Sequence, residues 1–236
     1  MVWPRLKRHL LAYIILPRPF CGNLCGAWRR VKTWKKHELP KRAPPLVPLV
    51  VCGLAGLARA QGREDVAISL LLGLHCMLRG AELRALCVRD FLFAGRRAVV
   101  HLGWTKGSAR KGAPEEVVVT DERLVNLLRD FCADRGPNDP LVDLTPTALF
   151  RYFRALLTYF ELGDEGFTLH SLRRGGATHF FRTTGNMGAT LERGRWTCVR
   201  TGRGYISEGL AVVGLLSLRV SVRELLCEWS KALQCQ

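Results

Sequence analysis

Apolar residues recur at intervals of three and four from about 48 to 62 and again from 65 to 78, which predicts two buried helices. Glu64-Asp65 falls in the first turn of the second, where negative charge complements the helix dipole. A short helix is expected to follow through Glu82 to Cys87, with Arg79 at the end of the buried helix before it. The period then changes to two. Phe91–Phe93, Ala98–Leu102 and Glu116–Val119 read as short strands, separated by Ala94-Gly95-Arg96-Arg97 and by a long polar turn from Gly103 to Pro114. Helical spacing resumes at 121–134, capped by Thr120 or Asp121, and at 146–161, opened by Thr145-Pro146. Thr168–Arg182 and Met187–Gly194 continue as helices, and an apolar-periodic segment runs from about 207 to 233. The pattern predicts an α+β fold, mostly helical, with one small three-stranded antiparallel sheet.

Ahead of this periodic region the chain has a different character. Residues 1–45 hold eleven Lys/Arg against Glu38, with Trp3, Trp28 and Trp34 among them and prolines at 4, 17, 19 and 40. Basic and aromatic residues interleaved in this way suit nucleic-acid contact. The expected division is therefore a basic arm at 1–45 and a folded domain at 46–236. A formal charge of +16 over 236 residues implies a polyanionic partner, with nucleic acid ahead of a membrane surface. No stretch reaches the roughly 20 apolar residues of a membrane span. The nine cysteines form no C-x-x-C pair and several lie in apolar runs, which reads as reduced, intracellular and metal-free.

The chemistry concentrates in the last third, where His170-Ser171-Leu172-Arg173 is followed by Trp196 and Tyr205. A phosphate is the one common group these four side chains serve together. The guanidinium offers a fork of donors, the imidazole and indole donate single hydrogen bonds, and a phenol oxygen is a competent nucleophile toward a held phosphate. His170 and Arg173 stand three apart at a helix start and so point to one side. Upstream, Arg79 is followed by Gly80 and by Glu82, which is placed to orient a guanidinium. Lys106 lies in the turn between the second and third strands, with Lys111 in the same turn as its rival.

In this order the residues resemble the catalytic domain of the tyrosine recombinases, the phage-integrase-like family. That family's pattern is an Arg in a "G-x-R-x-x-E-L" turn, a Lys in a β-turn, H-x-x-R on a later helix, then His or Trp, and the nucleophilic Tyr nine residues beyond. Arg79 with Glu82-Leu83, Lys106, His170 with Arg173, Trp196 and Tyr205 match it, over about residues 46–220. Gly194-Arg195-Trp196 through Tyr205-Ile206-Ser207-Glu208-Gly209-Leu210 is more similar to the recombinases of eukaryotic mobile elements than to bacterial ones. Trp196 replaces the more usual His, and the family's N-terminal core-binding domain is expected to be absent or reduced to the basic arm.

The resemblance implies that Arg79, His170, Arg173 and Trp196 hold the scissile phosphate while Tyr205 attacks it. A 3′-phosphotyrosine link forms, a 5′-hydroxyl leaves with a proton from Lys106, and no metal, nucleotide or other cofactor is needed. Arg110, Lys111, Arg174, Arg195, Arg200 and Arg203 are expected along the DNA. The implied partners are double-stranded DNA and further copies of the chain, joined through the C-terminal helix, with no membrane and no small-molecule substrate. The implied place is intracellular, nuclear if the source is eukaryotic. Two other readings stay open: a catalytically silent DNA-binding remnant of a mobile-element recombinase, and a type IB topoisomerase with the same chemistry in a lone monomer.

Overall fold

The protein is described from a computed structural model covering Gly26, Arg29, Arg30 and Thr33, then residues 42–103, Thr105, and 113–233. It divides into two units, Met1–Arg42 and Ala43–Gln236. In the first, Gly26, Arg29, Arg30 and Thr33 are helical, and the Thr33 hydroxyl donates to the Arg29 carbonyl at 3.0 Å. Apart from Arg42, the rest of that unit lies outside the described residues, as do Lys106, Arg110, Lys111 and the last three residues.

The second unit is mostly helical with one small sheet. Its elements are α1 (Pro48–Ala60), α2 (Glu64–His75), α3 (Gly80–Ala85), β1 (Phe91–Ala94), β2 (Arg97–His101), β3 (Glu116–Val119), α4 (Glu122–Ala133), α5 (Pro146–Tyr159), α6 (Leu169–Thr184), α7 (Met187–Gly194), α8 (Val199–Arg203), α9 (Glu208–Leu216) and α10 (Val220–Lys231). The sheet has the order β1-β2-β3, antiparallel throughout. Phe91, Ala98, Val100, Val117 and Val119 face inward, while Leu92 and Val118 face out, as period-two alternation requires.

Local chemistry explains where the helices start. Asp121, rather than Thr120, caps α4 by accepting from Leu124 N at 3.0 Å. Thr145 caps α5 in the same way for Ala148 N at 3.2 Å, with Pro146 following at the first helical position. At the head of α6, Ser171 Oγ accepts from Thr168 N at 3.0 Å. In α2, Asp65 in the first turn is held by both Arg63 Nε (2.9 Å) and Arg63 Nη2 (2.6 Å).

Buried side chains of α1, α2, α4, α5 and the inner sheet face form one continuous apolar core. Helix α6 reaches this core because of Gly175 and Gly176. A Cβ on Gly175 would stand 1.8 Å from the Leu46 carbonyl oxygen, and one on Gly176 would stand 2.0 Å from that of Leu74. No other residue allows that approach, and it draws the preceding turn of α6, with Arg173, into the interior. A second, smaller apolar cluster of Met77, Ala177 and Trp196, flanked by Phe180, Leu191, Tyr205 and Ile206, lies beside the main core.

The apolar-periodic C-terminal segment is two helices, broken at Ser217-Leu218-Arg219. Helix α10 packs on α1, where Leu226 lies over Gly53 and the Trp229 backbone over Gly56. The Arg59 guanidinium donates to the Ala232 carbonyl at 3.4 Å and so closes the end of α10. A Cβ on Gly56 would sit 1.8 Å from the Trp229 carbonyl oxygen, a backbone atom that cannot step aside. Gly56→Ala is therefore expected to destabilise the protein by about 1–3 kcal/mol in urea unfolding. Unchanged stability would contradict the packing of α10 on α1.

Candidate active site

The site begins where α2 stops. Met77, directly before Leu78-Arg79, has a φ of 51°, a left-handed conformation that glycine adopts at no steric cost and other residues do not. This is the position where the recombinase pattern "G-x-R-x-x-E-L" carries its Gly. The strain is of order 1–3 kcal/mol, and it turns the chain so that the Met77 carbonyl accepts from Arg173 Nη1. Arg79 consequently does not end a buried helix, as the periodicity suggested. It is the extended N-cap residue of α3 (φ −80°, ψ 150°), and α3 ends at Ala85. Glu82, one turn into α3, accepts from the Arg79 backbone N–H at 2.8 Å and from the Arg79 guanidinium.

Glu82 is itself buried, and two more guanidiniums meet it. Arg195 Nη2 donates to Glu82 Oε2 at 2.6 Å, and Arg173 Nη1 stands 4.0 Å from the same oxygen. Arg173 is 0% exposed. Besides Met77 O, its Nη2 donates to the Gly194 carbonyl at 2.7 Å, while its Nε is buried without a hydrogen-bond partner. Burial, reinforced by repulsion from Arg195 and Arg79, pushes its pKa down to about 10, so it stays protonated at neutral pH.

Two aromatic rings cover Arg173. Its guanidinium carbon lies 4.9 Å from the Trp196 ring centre and 5.4 Å from that of Tyr205. The rings stack on each other at 4.6 Å and 28°. The His170 ring tilts against Tyr205 at 5.3 Å, near the head of α6. Trp196 is placed by the end of α7, where its N–H donates to the Leu191 carbonyl at 2.9 Å and its ring lies against Gly194. Its indole Nε1 is buried without a partner. Tyr205 follows α8, and its backbone carbonyl accepts from Thr178 Oγ1 at 3.4 Å.

Arg79, Glu82, His170, Arg173, Trp196 and Tyr205 are thus gathered in one place, from four separate stretches of chain. The cations expected along DNA divide. Arg200 and Arg203 are exposed on α8. Arg174 is buried, with Nη2 donating to Ser207 Oγ. Arg195 is not a surface cation. It is buried, with a φ of 57°, and its guanidinium is directed to Glu82, to Glu115 and to the Cys76 carbonyl. Lys106, Arg110 and Lys111 lie outside the described residues. Glu115 was not singled out in the sequence, yet it shares the inward parity of Val117 and Val119 and is buried with them. Among the described residues, no three His, Cys, Asp or Glu side chains cluster as metal ligands would.

Among solved structures, the fold is similar to the XerH site-specific recombinase bound to palindromic difH substrate, in a post-cleavage complex. The TM-score is 0.57 at 18% identity, covering 72% of this chain and 50% of that one. The fold is that of a tyrosine-recombinase catalytic domain. It is also similar to XerH on difH before cleavage (TM-score 0.56, 16% identity, 77% of this chain and 56% of that one). The XerA recombinase gives a TM-score of 0.56 at 18% identity, covering 76% of this chain and 65% of that one. The chain thus spans between half and about two-thirds of the length of these recombinases. No protein-family model and no curated protein matches it.

Within the recombinase fold His170 has a distinct electrostatic setting. Partial burial, followed by repulsion from Arg173, Arg174 and Arg79, lowers its pKa below the ordinary 6.5. It is therefore neutral at pH 7, and an NMR titration of His170 is expected to give a midpoint below 6.5. The unfolded chain takes up this proton first, so the contribution to stability is present above pH 6.5 and is lost as pH falls through the native pKa. A midpoint at or above 6.5 would contradict the cationic surroundings described here.

Proposed function

We propose that the protein cleaves and rejoins DNA strands through a covalent 3′-phosphotyrosine at Tyr205. The observation that carries this reading is the convergence of His170, Arg173 and Trp196 on the Tyr205 ring, with Arg79 close enough to Arg173 and His170 to act on both electrostatically. Two buried donors there, Trp196 Nε1 and Arg173 Nε, have no hydrogen-bond partner within the protein, and buried donors of this kind call for an acceptor such as water or a phosphate oxygen. Electrostatics supports the same reading. Arg79, Arg173 and Arg195 gather around Glu82 and Glu115, so cationic charge is in excess where a phosphorane would carry two negative charges.

In the proposed reaction Tyr205 Oη bonds to phosphorus and the bond from phosphorus to the 5′-oxygen breaks. The phenol proton passes to neutral His170 or to water. The leaving oxygen takes a proton from Lys106 or Lys111. Attack by a 5′-hydroxyl from another strand runs the step backwards, and the bond energy is retained in the phosphotyrosine. The similarity to XerH complexes with difH supports duplex DNA as the partner. Assembly of several copies through α10 is part of the same proposal, in which α10 would exchange its packing on α1 for a neighbouring copy.

One observation favours a second reading, a DNA-binding protein that does not cut. Arg173 is 0% exposed, with the Trp196 and Tyr205 rings against its guanidinium, so a phosphate reaches it only after its surroundings rearrange. A library of nicked duplexes with randomised sequence around the nick separates the two readings. Loss of the short strand beyond the nick traps any cleaved complex. Wild type is expected to form a covalent adduct stable to denaturant, Tyr205→Phe none, and Trp196→Phe to react about 10²-fold more slowly, the usual effect of one lost transition-state donor. Salt-sensitive binding with no adduct in wild type would establish the silent reading instead.

A further inference from the structure

The buried cation Arg195 joins three parts of the domain that are remote in sequence. Nη2 donates to Glu82 Oε2 at 2.6 Å, in the helix that also holds Arg79. Nε donates to Glu115 Oε2 at 3.2 Å, and Nη1 to the Cys76 carbonyl at 3.3 Å, just before the left-handed Met77. Glu115 fastens the base of the β2–β3 connection. Its carboxylate accepts from Thr105 Oγ1 at 2.6 Å, its carbonyl from Leu102 N at 2.8 Å, and its N–H donates to the Gly103 carbonyl at 3.4 Å. Arg195 also precedes Trp196 directly, in a left-handed conformation (φ 57°) that only a firmly held side chain sustains in a residue other than Gly.

This geometry suits only arginine. A planar fork reaches two carboxylates and a carbonyl in different directions, whereas a lysine ammonium is a single point of charge on a flexible stem. The guanidinium is 4% exposed and its contacts are internal, so it is not a DNA-surface cation. We propose that Arg195 is a positioning residue that holds Thr105 and Glu115, at the two ends of the β2–β3 connection, against the turn of Arg79 and Glu82. Its loss then impairs protonation of the leaving oxygen more than attack on phosphorus. This inference rests on the strand-cleavage reading above, because the connection contains Lys106 and Lys111, the residues assigned there to the leaving-group proton.

The test uses duplexes of a sequence trapped from the randomised library, made with either a normal phosphodiester or a 5′-bridging phosphorothiolate at the cleaved step. A thiolate leaves without needing a proton, so the second substrate bypasses the general acid. Single-turnover cleavage is measured for wild type, Arg195→Lys and Glu115→Gln, with circular-dichroism melts to check folding. Glu115→Gln keeps the Arg195–Glu82 pair and decides the matter if Arg195→Lys does not fold. On the phosphodiester both variants are expected to lose roughly 10²-fold, the low end of what general acid catalysis supplies, while on the phosphorothiolate each stays within about threefold of wild type. Equal losses on the two substrates, or no loss on either, overturn the positioning role and leave the strand-cleavage reading intact. Absence of any adduct in wild type on both substrates removes that reading, and this inference with it.

Discussion

One buried carboxylate organises the candidate active site of this domain. Glu82 holds the Arg79 backbone and guanidinium, pairs with Arg195 at 2.6 Å and lies 4.0 Å from Arg173. Three guanidiniums packed this closely would repel one another, and burial, reinforced by the other two, already weakens the hold of Arg173 on its proton. Glu82 and Glu115 offset that repulsion only in part. Buried ion pairs of this kind contribute little net stability, since desolvation consumes most of the Coulombic gain. Removing one partner is nevertheless costly, commonly 3–5 kcal/mol, because the remaining charge is stranded. The arrangement is therefore better understood as fixing geometry than as strengthening the fold.

The same geometry leaves the site closed. Tyr205 and Trp196 stack over Arg173 and the His170 ring tilts against Tyr205, so the proposed nucleophile shields the cation proposed to hold its target. Movement of Tyr205 is tied to its surroundings on both sides. Thr178 Oγ1 donates to the Arg174 carbonyl at 2.8 Å, lies 3.4 Å from the Tyr205 carbonyl and accepts from Ser207 N, while Arg174 donates to Ser207 Oγ. Helix α9 begins one residue later and exposes Leu210, Val213 and Leu216, so its hold on the main core is slight.

Much of this was legible in the sequence. Periods of 3.6 and 2 located the helices and the three strands, because each element buries one face, and Asp121 and Thr145 announced their helices by side-chain chemistry. Arg79, Glu82, His170, Arg173, Trp196 and Tyr205 were identifiable from order and spacing. Two features were not. The α2 helix stops at His75 because Met77 takes a left-handed conformation, and a methionine in an apolar run gives no local signal for that. Arg195, between Gly194 and Trp196, looked like a surface cation because its buried partners, Glu82 and Glu115, are 113 and 80 residues away. The inward parity of Glu115 with Val117 and Val119 was the available sign that a buried cation had to exist. A carboxylate on the core face of a strand needs a partner.

The central claim is that the phenol of Tyr205 is the nucleophile. Mass spectrometry of a trapped protein–DNA adduct tests it most directly, after digestion with nuclease and trypsin. A 3′-phosphonucleotide is expected on the tryptic peptide spanning residues 204–219, at Tyr205. A nucleotide attached to any other residue would contradict it.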